Sequence, residues 1–261
     1  MRYALACAGL AGFLSAAVPG AALAAQDQAA HVHGDPVQAA TVSAAGTPIA
    51  PLPPGWSEPE NIADAEKRAV AYHDSGRYER DLAAVDQAAG DWIAAQAPHV
   101  RKPALVLDID ETSLSNWDEE KANGFGYFAD GTCDRLPKGP CGFDAWEMRA
   151  QAPAIAPTLA LARRAQRLGV AVFFITGRKE TVRDATAANL ARAGYANWAG
   201  LVLEPANSHF ASAADFKAPA RAAIEKQGYT IVATVGDQRS DLAGGSAMRG
   251  FQLPNPFYFI P

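Results

Sequence analysis

Two aspartates separated by one residue, Asp108 and Asp110, have the type and spacing that could do chemistry. In an extended backbone successive side chains point in opposite directions, so residues two apart face the same side. Two carboxylates on one side can flank a single reacting centre, where one attacks and the other transfers the proton. Thr112 follows at the same spacing and is a candidate substrate-binding residue.

Further acidic residues lie far along the chain, where Asp237 follows Gly236 and Asp241 comes four residues later. Carboxylates gathered in one place repel each other unless a cation lies between them, and oxygen ligands of this kind suit Mg²⁺. The sequence therefore predicts a magnesium site that includes Asp108, Asp110, Asp237 and Asp241. A single aspartate at the end of a strand is better explained by capping, but the combination of Asp-x-Asp with a distant Gly-Asp favours chemistry.

Short apolar runs predict the strands that would position these residues. Four runs are typical of buried parallel strands: residues 104–110, 170–176, 201–203 and 230–235. Helical stretches at about 157–168, 179–193 and 216–227 lie between or beside them, and each ends at a glycine. Two more helices are predicted from 62 to 97, separated at Gly76. This alternation predicts an α/β fold with a parallel sheet covered on both faces.

The carboxyl ends of these strands should form the site, because open α/β sheets bind their ligands there. The first strand ends in the paired aspartates, the second in Thr176-Gly177-Arg178, and the last in Gly236-Asp237. A long segment from about 115 to 151 interrupts the alternation after the first strand. Loops of this length in a compact domain are usually functional, so we expect a small cap over the strand ends.

The cap segment contains Cys133 and Cys141, which are close in sequence in a Gly- and Pro-rich stretch. In an oxidising compartment a disulfide is the favoured interpretation, and two free thiols are the alternative. A zinc site would need additional ligands, and none lie nearby in the sequence.

The N-terminal region predicts export. Residues 1–25 combine Arg2, a long run of small and apolar residues and an Ala-Leu-Ala cleavage signal, as a signal peptide does, with an uncleaved membrane anchor as the alternative. Residues 26–58 are rich in Ala, Gln, Gly and Pro and predict a disordered tether. We expect a periplasmic or secreted protein without stable membrane insertion after cleavage. The formal net charge of −5 disfavours nucleic-acid partners, whereas a homo-oligomer is compatible with the sequence.

Four stretches together resemble the ordered motifs of the haloacid dehalogenase (HAD) superfamily: VLDIDETSLSN, FFITGR, the lysine in DFKAPAR, and VGDQRSDL. The DET sequence, the form of the fourth motif and the terminal LPNPFYFIP resemble one subgroup, which contains bacterial class-B-like and lipoprotein acid phosphatases and plant vegetative storage proteins. The similarity covers residues 60–261. It implies a three-layer α/β/α Rossmann-like fold with a small cap, residues 59–261 forming the phosphatase domain.

The resemblance also implies a role for each site residue. Asp108 would attack phosphorus and form an aspartyl phosphate, and Asp110 would act as acid and then as base. The carboxylates of Asp108 and Asp237 and the backbone carbonyl of Asp110 would bind Mg²⁺, with Asp241 nearby. Thr176 would bind a phosphoryl oxygen and Lys217 would neutralise charge.

Some assignments stay open in the sequence. Lys226 lies on the same predicted helix as Lys217, but farther from the end that should face the site; Asp215 is the expected cap of this helix and would place Lys217 in the first turn. Gly177 and Arg178 are candidate substrate-binding residues, and Arg178 could equally serve in a salt bridge.

The expected substrates are small phosphomonoesters. The aromatic side chains of the cap could stack on a nucleobase or aryl group, with Trp146 and Tyr127 as candidates, or could form the core of the cap. A phosphotransferase on the same scaffold and a non-catalytic storage protein are the alternative functions. The intact aspartates argue against the second.

Overall fold

The computed structural model describes residues 54–55, 57 and 59–260. Residues from Pro59 onward form one compact unit. The predicted signal peptide lies outside the described residues, as does the predicted tether apart from residues 54, 55 and 57. No helix in the described part of the chain is both long and apolar enough to cross a membrane.

A five-stranded parallel sheet forms the centre of the unit, with the strand order β3-β2-β1-β4-β5. The strands are β1 (Pro103–Leu107), β2 (Ala171–Lys179), β3 (Gly200–Glu204), β4 (Thr230–Gly236) and β5 (Gly250–Gln252). The three central strands are almost entirely buried, as their apolar runs predict. The predicted α/β fold with a parallel central sheet is confirmed.

In the described part of the chain, seven α-helices accompany the sheet. They are α1 (Ile62–Asp74), α2 (Arg77–Gln96), α3 (Trp117–Ala122), α4 (Phe143–Arg149), α5 (Ala156–Arg167), α6 (Arg183–Arg192) and α7 (Ala213–Lys226). On one face of the sheet, Leu82 and Ile93 of α2 and Leu161 of α5 belong to the larger apolar core. On the other face, Ile224 of α7 packs with Val106 and Phe173 in a smaller core.

The strand register brings the ends of β1, β2 and β4 to one level. Leu107 is paired with Phe174 of β2 and with Val235 of β4, and the backbone N–H of Asp108 donates to the carbonyl of Val235 at 3.0 Å. The residues that follow these three strands therefore meet at one edge of the sheet.

The first strand is shorter than predicted, because β1 ends at Leu107 and the chain turns at once. The backbone N–H groups of Thr112, Ser113 and Leu114 all donate to the carbonyl of Ile109. Glu111 has a φ of 49°, the left-handed region that non-glycine residues seldom adopt. The predicted strand 104–110 is therefore too long at its end, and the chain is in a turn by Glu111.

Two further differences concern short elements. The strand β5 was not predicted, because three residues are too few to form a recognisable pattern. The helices α3 and α4, six and seven residues long, lie inside the segment predicted as a cap. The disulfide predicted in this segment is confirmed between Cys133 and Cys141.

Candidate active site

Three buried aspartates meet at the carboxyl edge of the sheet. Asp108 follows β1, Asp237 follows β4, and Asp241 lies in the short 3-10 helix Arg239–Asp241. Carboxylate oxygens of the three side chains all lie within 4.8 Å of one another. Gly236 makes this approach feasible, because a Cβ atom at that position would collide with the carboxylate of Asp241.

Lys217 lies between two of these aspartates. Its Nζ donates to Oδ1 of Asp108 and to Oδ1 of Asp241, each at 2.5 Å, and its side chain is buried. Lys226, the alternative lysine, is exposed at the last residue of α7.

The start of α7 differs from the prediction in one detail. The helix begins at Ala213 with Ser212 as its N-cap, and Asp215 caps it from inside by accepting from the backbone N–H of Ser212 at 3.1 Å. Lys217 therefore lies in the second turn rather than the first, because Asp215 is the third helical residue and not the cap residue itself.

The electrostatics of the cluster favour a cation. Burial raises the pKa of Asp108 well above its usual value, and Asp241 and Asp237 add to the effect against the opposing charge of Lys217. Burial and Asp241 also raise the pKa of Asp237, to about 6. Burial alone would lower the pKa of Lys217, but Asp108 and Asp241 outweigh it and raise the pKa. Three carboxylates thus face one ammonium group in a site with little water.

Asp110 has a different environment, because it forms a salt bridge. Arg178 Nη2 lies 2.6 Å from Oδ1 of Asp110, and Arg178 Nε lies 3.0 and 3.1 Å from its two oxygens. Asn116 Nδ2 donates to the same Oδ1 at 2.9 Å. Burial would raise the pKa of Asp110, but the charge and hydrogen bonds of Arg178, together with Asn116, hold it below its usual value. The sequence left Arg178 as either a substrate-binding residue or a salt-bridge partner, and in the structure it forms a salt bridge with Asp110.

Thr176 and Gly177 lie near the carboxyl end of β2, beyond the last residue paired with β1. Thr176 is fully buried, and its Oγ1 accepts a hydrogen bond from the backbone N–H of Arg178 at 3.1 Å. The hydroxyl hydrogen of Thr176 is therefore free for another acceptor. Gly177 is exposed, and a Cβ atom there would meet nothing within 4 Å. The end of β2 thus offers a hydroxyl hydrogen without an acceptor among the described residues and, at the next residue, open space.

Several side chains hold Asp237 in place. Thr112 Oγ1 donates to Oδ1 of Asp237 at 3.0 Å, and Gln238 Nε2 and Asn255 Nδ2 donate to Oδ2 at 2.6 and 2.8 Å. The structure thus places Thr112, a predicted substrate-binding residue, against Asp237, a predicted metal ligand. Asn255 is not among the predicted site residues, although it lies in the terminal LPNPFYFIP that resembles the acid phosphatase subgroup.

A second hydrogen-bond group lies behind Asp110 and was also missed. Glu111 accepts from the backbone N–H and from Nδ2 of Asn116 at 2.5 and 2.9 Å, and from the hydroxyl of Tyr258 at 3.2 Å. Burial, with Glu120 and Asp110 nearby, raises the pKa of Glu111 well above its usual value. These bonds hold the left-handed turn at Glu111 and orient Asn116 toward Asp110.

The cap residues Trp146 and Tyr127 lie in different environments. Trp146 is buried, and its Nε1 donates to Oδ1 of Asn116 at 2.8 Å, so it belongs to the core of the cap. Tyr127 is 74% exposed and its ring packs beside that of Phe143 at 5.8 Å. Of the two stacking candidates, Tyr127 has the accessible ring.

A carboxylate from the cap also reaches the site. Glu147 of α4 is buried, and its Oε1 lies 3.4 Å from Arg178 Nε. Burial raises the pKa of Glu147 to about 8, although Arg178 opposes this. Nothing in the sequence distinguishes Glu147 from a solvated glutamate on a short helix, so the sequence could not have identified it.

Comparisons with known proteins identify the family of the chain. The family model for HAD superfamily, subfamily IIIB (acid phosphatase) matches residues 56–261. Acid phosphatase 1 of Solanum lycopersicum is 33% identical over 211 residues, which cover 80% of this chain and 78% of the relative. The stem 28 kDa glycoprotein of Glycine max is 34% identical over 205 residues, covering 77% and 76%.

A solved structure is similar in fold. The class C acid phosphatase from Bacillus anthracis superposes with a TM-score of 0.58 at 22% identity, covering 76% of this chain and 86% of that one. The sequence-based prediction of a phosphomonoesterase is confirmed by the family match. The chain belongs to subfamily IIIB of the haloacid dehalogenase superfamily, the acid phosphatases.

Proposed function

We propose that the protein is a Mg²⁺-dependent phosphatase that hydrolyses small phosphomonoesters through an aspartyl-phosphate intermediate on Asp108. The observation that carries the proposal is the buried cluster of Asp108, Asp237 and Asp241, with their oxygens within 4.8 Å and Lys217 bonded to two of them. A nucleophile, a cation site and a fixed positive charge thus share one small space, as phosphoryl transfer requires.

The donor set fits a magnesium ion. Its atoms are all oxygens, and three buried carboxylates outnumber the single ammonium of Lys217. Asp108, Asp237 and the backbone carbonyl of Asp110 would hold the ion, with Asp241 beside it. When bound, Mg²⁺ supplies positive charge that keeps the carboxylates ionised and stabilises charge on the phosphoryl oxygens.

The protein residues then have distinct tasks. A carboxylate oxygen of Asp108 forms a bond to phosphorus while the ester P–O bond breaks, and Asp110, which must carry a proton when the substrate binds, gives it to the leaving oxygen. Asp110 next removes a proton from water, which attacks phosphorus and releases phosphate and free Asp108. Lys217 orients Asp108 and offsets phosphoryl charge, and the free hydroxyl hydrogen of Thr176 binds a phosphoryl oxygen.

A chromogenic assay tests the mechanism. We expect wild type to release p-nitrophenol from p-nitrophenyl phosphate with Mg²⁺ and to lose this activity with a chelator. Asp108→Ala should abolish it, whereas Asp118→Ala, which removes an exposed aspartate of α3, should leave it unchanged. Activity that survives in Asp108→Ala, or that is indifferent to the chelator, would contradict the proposal.

Metal binding can be measured without turnover. Mg²⁺ should raise the melting temperature of wild type, because an ion that binds only the folded state stabilises it. Asp237→Asn should reduce this shift, because it removes a charged ligand while its size is preserved. An equal Mg²⁺-induced shift in both proteins would place the ion elsewhere.

The leaving group is proposed to carry an aromatic ring in the preferred substrates, such as nucleoside monophosphates or aryl phosphates. Exposed Tyr127 supports this, because its ring is available for stacking. We expect a higher kcat/KM for a nucleotide than for a sugar phosphate, and Tyr127→Ala should reduce the difference. Equal values for the two substrates, unchanged in Tyr127→Ala, would remove the stacking hypothesis.

The fate of the phosphoryl group and the location of the protein complete the proposal. Added alcohol acceptors distinguish hydrolysis from transfer, since a phosphotransferase would form new phosphate esters, and we expect inorganic phosphate to dominate.

We further propose a periplasmic or secreted protein, which the disulfide between Cys133 and Cys141 supports. Fractionation and the mass of the mature chain test this, and a mass that includes residues 1–25 would contradict it.

A further inference from the structure

Arg178 lies between the carboxylates of Asp110 and Glu147, and of the two it donates hydrogen bonds only to Asp110. Asp110 receives three hydrogen bonds from the guanidinium, at 2.6 to 3.1 Å. On the other side, Glu147 Oε1 lies 3.4 Å from Nε, which is too long for an ordinary hydrogen bond. The side chains of Arg178 and Glu147 are 1% and 5% exposed, so solvent does not separate them.

Arg178 and Glu147 each have a buried polar atom without a hydrogen-bond partner in the described part of the chain. Nη1 of Arg178 and Oε1 of Glu147 are both buried and have no hydrogen-bond partner among the described residues. Such atoms are uncommon in proteins and are costly to leave unpaired. Nε has one hydrogen, which now points to Asp110, so a charge-assisted bond to Glu147 forms only when the guanidinium turns away from Asp110. Glu147 is therefore a second possible acceptor for the guanidinium of Arg178.

The proposed function requires more freedom at Asp110 than this salt bridge allows. Oδ1 of Asp110 accepts from Nε and Nη2 of Arg178 and from Asn116, so it is saturated, and Oδ2 faces the Nε–H of Arg178, where a proton for a leaving group would have to sit. To serve the leaving oxygen, Asp110 must lose at least part of its contact with Arg178. A buried guanidinium leaves a carboxylate only if another acceptor replaces it.

We propose that Glu147 is a positioning residue for the leaving-group step, and that it acts by accepting Arg178 when the guanidinium releases Asp110. The proposal rests on the proposed function of Asp110 and concerns a residue outside the family motifs. Its physical basis is that the guanidinium of Arg178 lies near two carboxylates, Asp110 at the sheet edge and Glu147 on the cap.

The cap connects to Asp110 along two adjacent routes. Trp146 bonds to Asn116, which donates to Asp110, and the next residue, Glu147, reaches Arg178, which also donates to Asp110. Both routes begin on α4. A small displacement of this helix when substrate binds would change both contacts of Asp110 together, which links the position of the cap to the leaving-group step.

The experiment compares two aromatic esters of similar size, p-nitrophenyl phosphate and benzyl phosphate. The p-nitrophenolate ion leaves readily without a proton, whereas the benzyl alkoxide needs one, so only the second ester depends on Asp110 in the first step. The readout is kcat/KM, which reports the steps through the first irreversible one. The ratio of the two values does not depend on how much of a variant is folded.

We expect Glu147→Gln to lower kcat/KM for benzyl phosphate by about 100-fold and that for p-nitrophenyl phosphate by less than about threefold. Asp144→Asn, which removes the neighbouring carboxylate on the same helix, should leave the ratio unchanged. If Glu147→Gln is not soluble, Glu147→Asp keeps the charge at a shorter reach and should lower the same ratio by a smaller factor. An unchanged ratio in Glu147→Gln, or in Glu147→Asp where that variant replaces it, would overturn the proposal.

Failure of this inference differs from failure of the proposed function. If wild type shows no Mg²⁺-dependent activity on either ester, or if Asp108→Ala retains activity, the proposed function is wrong. If wild type is active and depends on Asp108, but Glu147→Gln changes neither ester or both equally, then only the role of Glu147 is wrong.

Discussion

Replacing Lys217 by Met tests the only ammonium group bonded to the aspartate cluster among the described residues. Lys217 Nζ forms 2.5 Å bonds with Asp108 and Asp241, and all three side chains are buried. Methionine preserves most of the volume and the apolar stem but removes the charge and the donors. The perturbation is therefore mainly electrostatic and directed at the proposed nucleophile.

The size of the effect follows from the two lost bonds. Hydrogen bonds between charged groups contribute about 1.5 to 3 kcal/mol each, so two amount to about 3 to 6 kcal/mol. At about 1.4 kcal/mol per factor of ten, the full amount corresponds to a loss of about 10²- to 10⁴-fold in kcat/KM. Part of the interaction already exists without substrate and does not speed the reaction. We therefore expect a loss near 100-fold.

The assay is p-nitrophenyl phosphate hydrolysis at saturating Mg²⁺, with Lys226→Met as the matched control. Lys226 lies on the same helix but is exposed at its end, so its replacement should leave kcat/KM within about twofold. A thermal melt shows whether Lys217→Met is folded. If that variant is folded and its kcat/KM falls by less than about threefold, Lys217 does not act on Asp108 as proposed.

Three further predictions concern the surroundings of the site and the stability of the fold. Asn255→Ala removes a donor to Asp237 and should increase the Mg²⁺ concentration needed for half-maximal activity about tenfold; an unchanged value would contradict this role. Burial raises the pKa of Asp86 from 3.8 to about 7, so the folded state binds a proton more tightly than the unfolded one, and wild type loses stability as pH rises between these values. Asp86→Asn should therefore be more stable than wild type above pH 7, by up to about 4 kcal/mol in urea denaturation, and equal stability would refute the burial argument. Replacing Cys133 and Cys141 together by Ser should lower stability by about 2 to 3 kcal/mol, because the disulfide closes a short loop, and an unchanged melting temperature would show that the loop is ordered without it.

The sheet edge could be predicted from sequence because buried parallel strands have a strong signal. The apolar runs of β1, β2 and β4 each end in polar residues, and parallel strands align their carboxyl ends. The approach of Asp108 to Asp237 follows from these two facts alone. The position of Lys217 needed the family resemblance, because a lysine on a helix has no local signal of its own.

The cap and the contacts behind the aspartates could not be predicted in the same way. Helices α3 and α4 are too short for a periodic pattern. Whether Trp146 faces a substrate or the interior depends on Asn116, a partner that is distant in sequence. The salt bridge of Arg178 similarly depends on tertiary packing, and sequence reasoning left it as one of two equal alternatives.

Chemical trapping tests most directly whether Asp108 becomes an aspartyl phosphate during the reaction. Enzyme mixed with a phosphomonoester and Mg²⁺ is quenched with acid within one turnover, reduced with borohydride and digested for mass spectrometry. Borohydride converts an aspartyl phosphate to homoserine, so we expect homoserine at position 108, and only when substrate and Mg²⁺ are both present. Modification of another residue, or an unmodified peptide from a reaction that has produced a burst of alcohol, would contradict it.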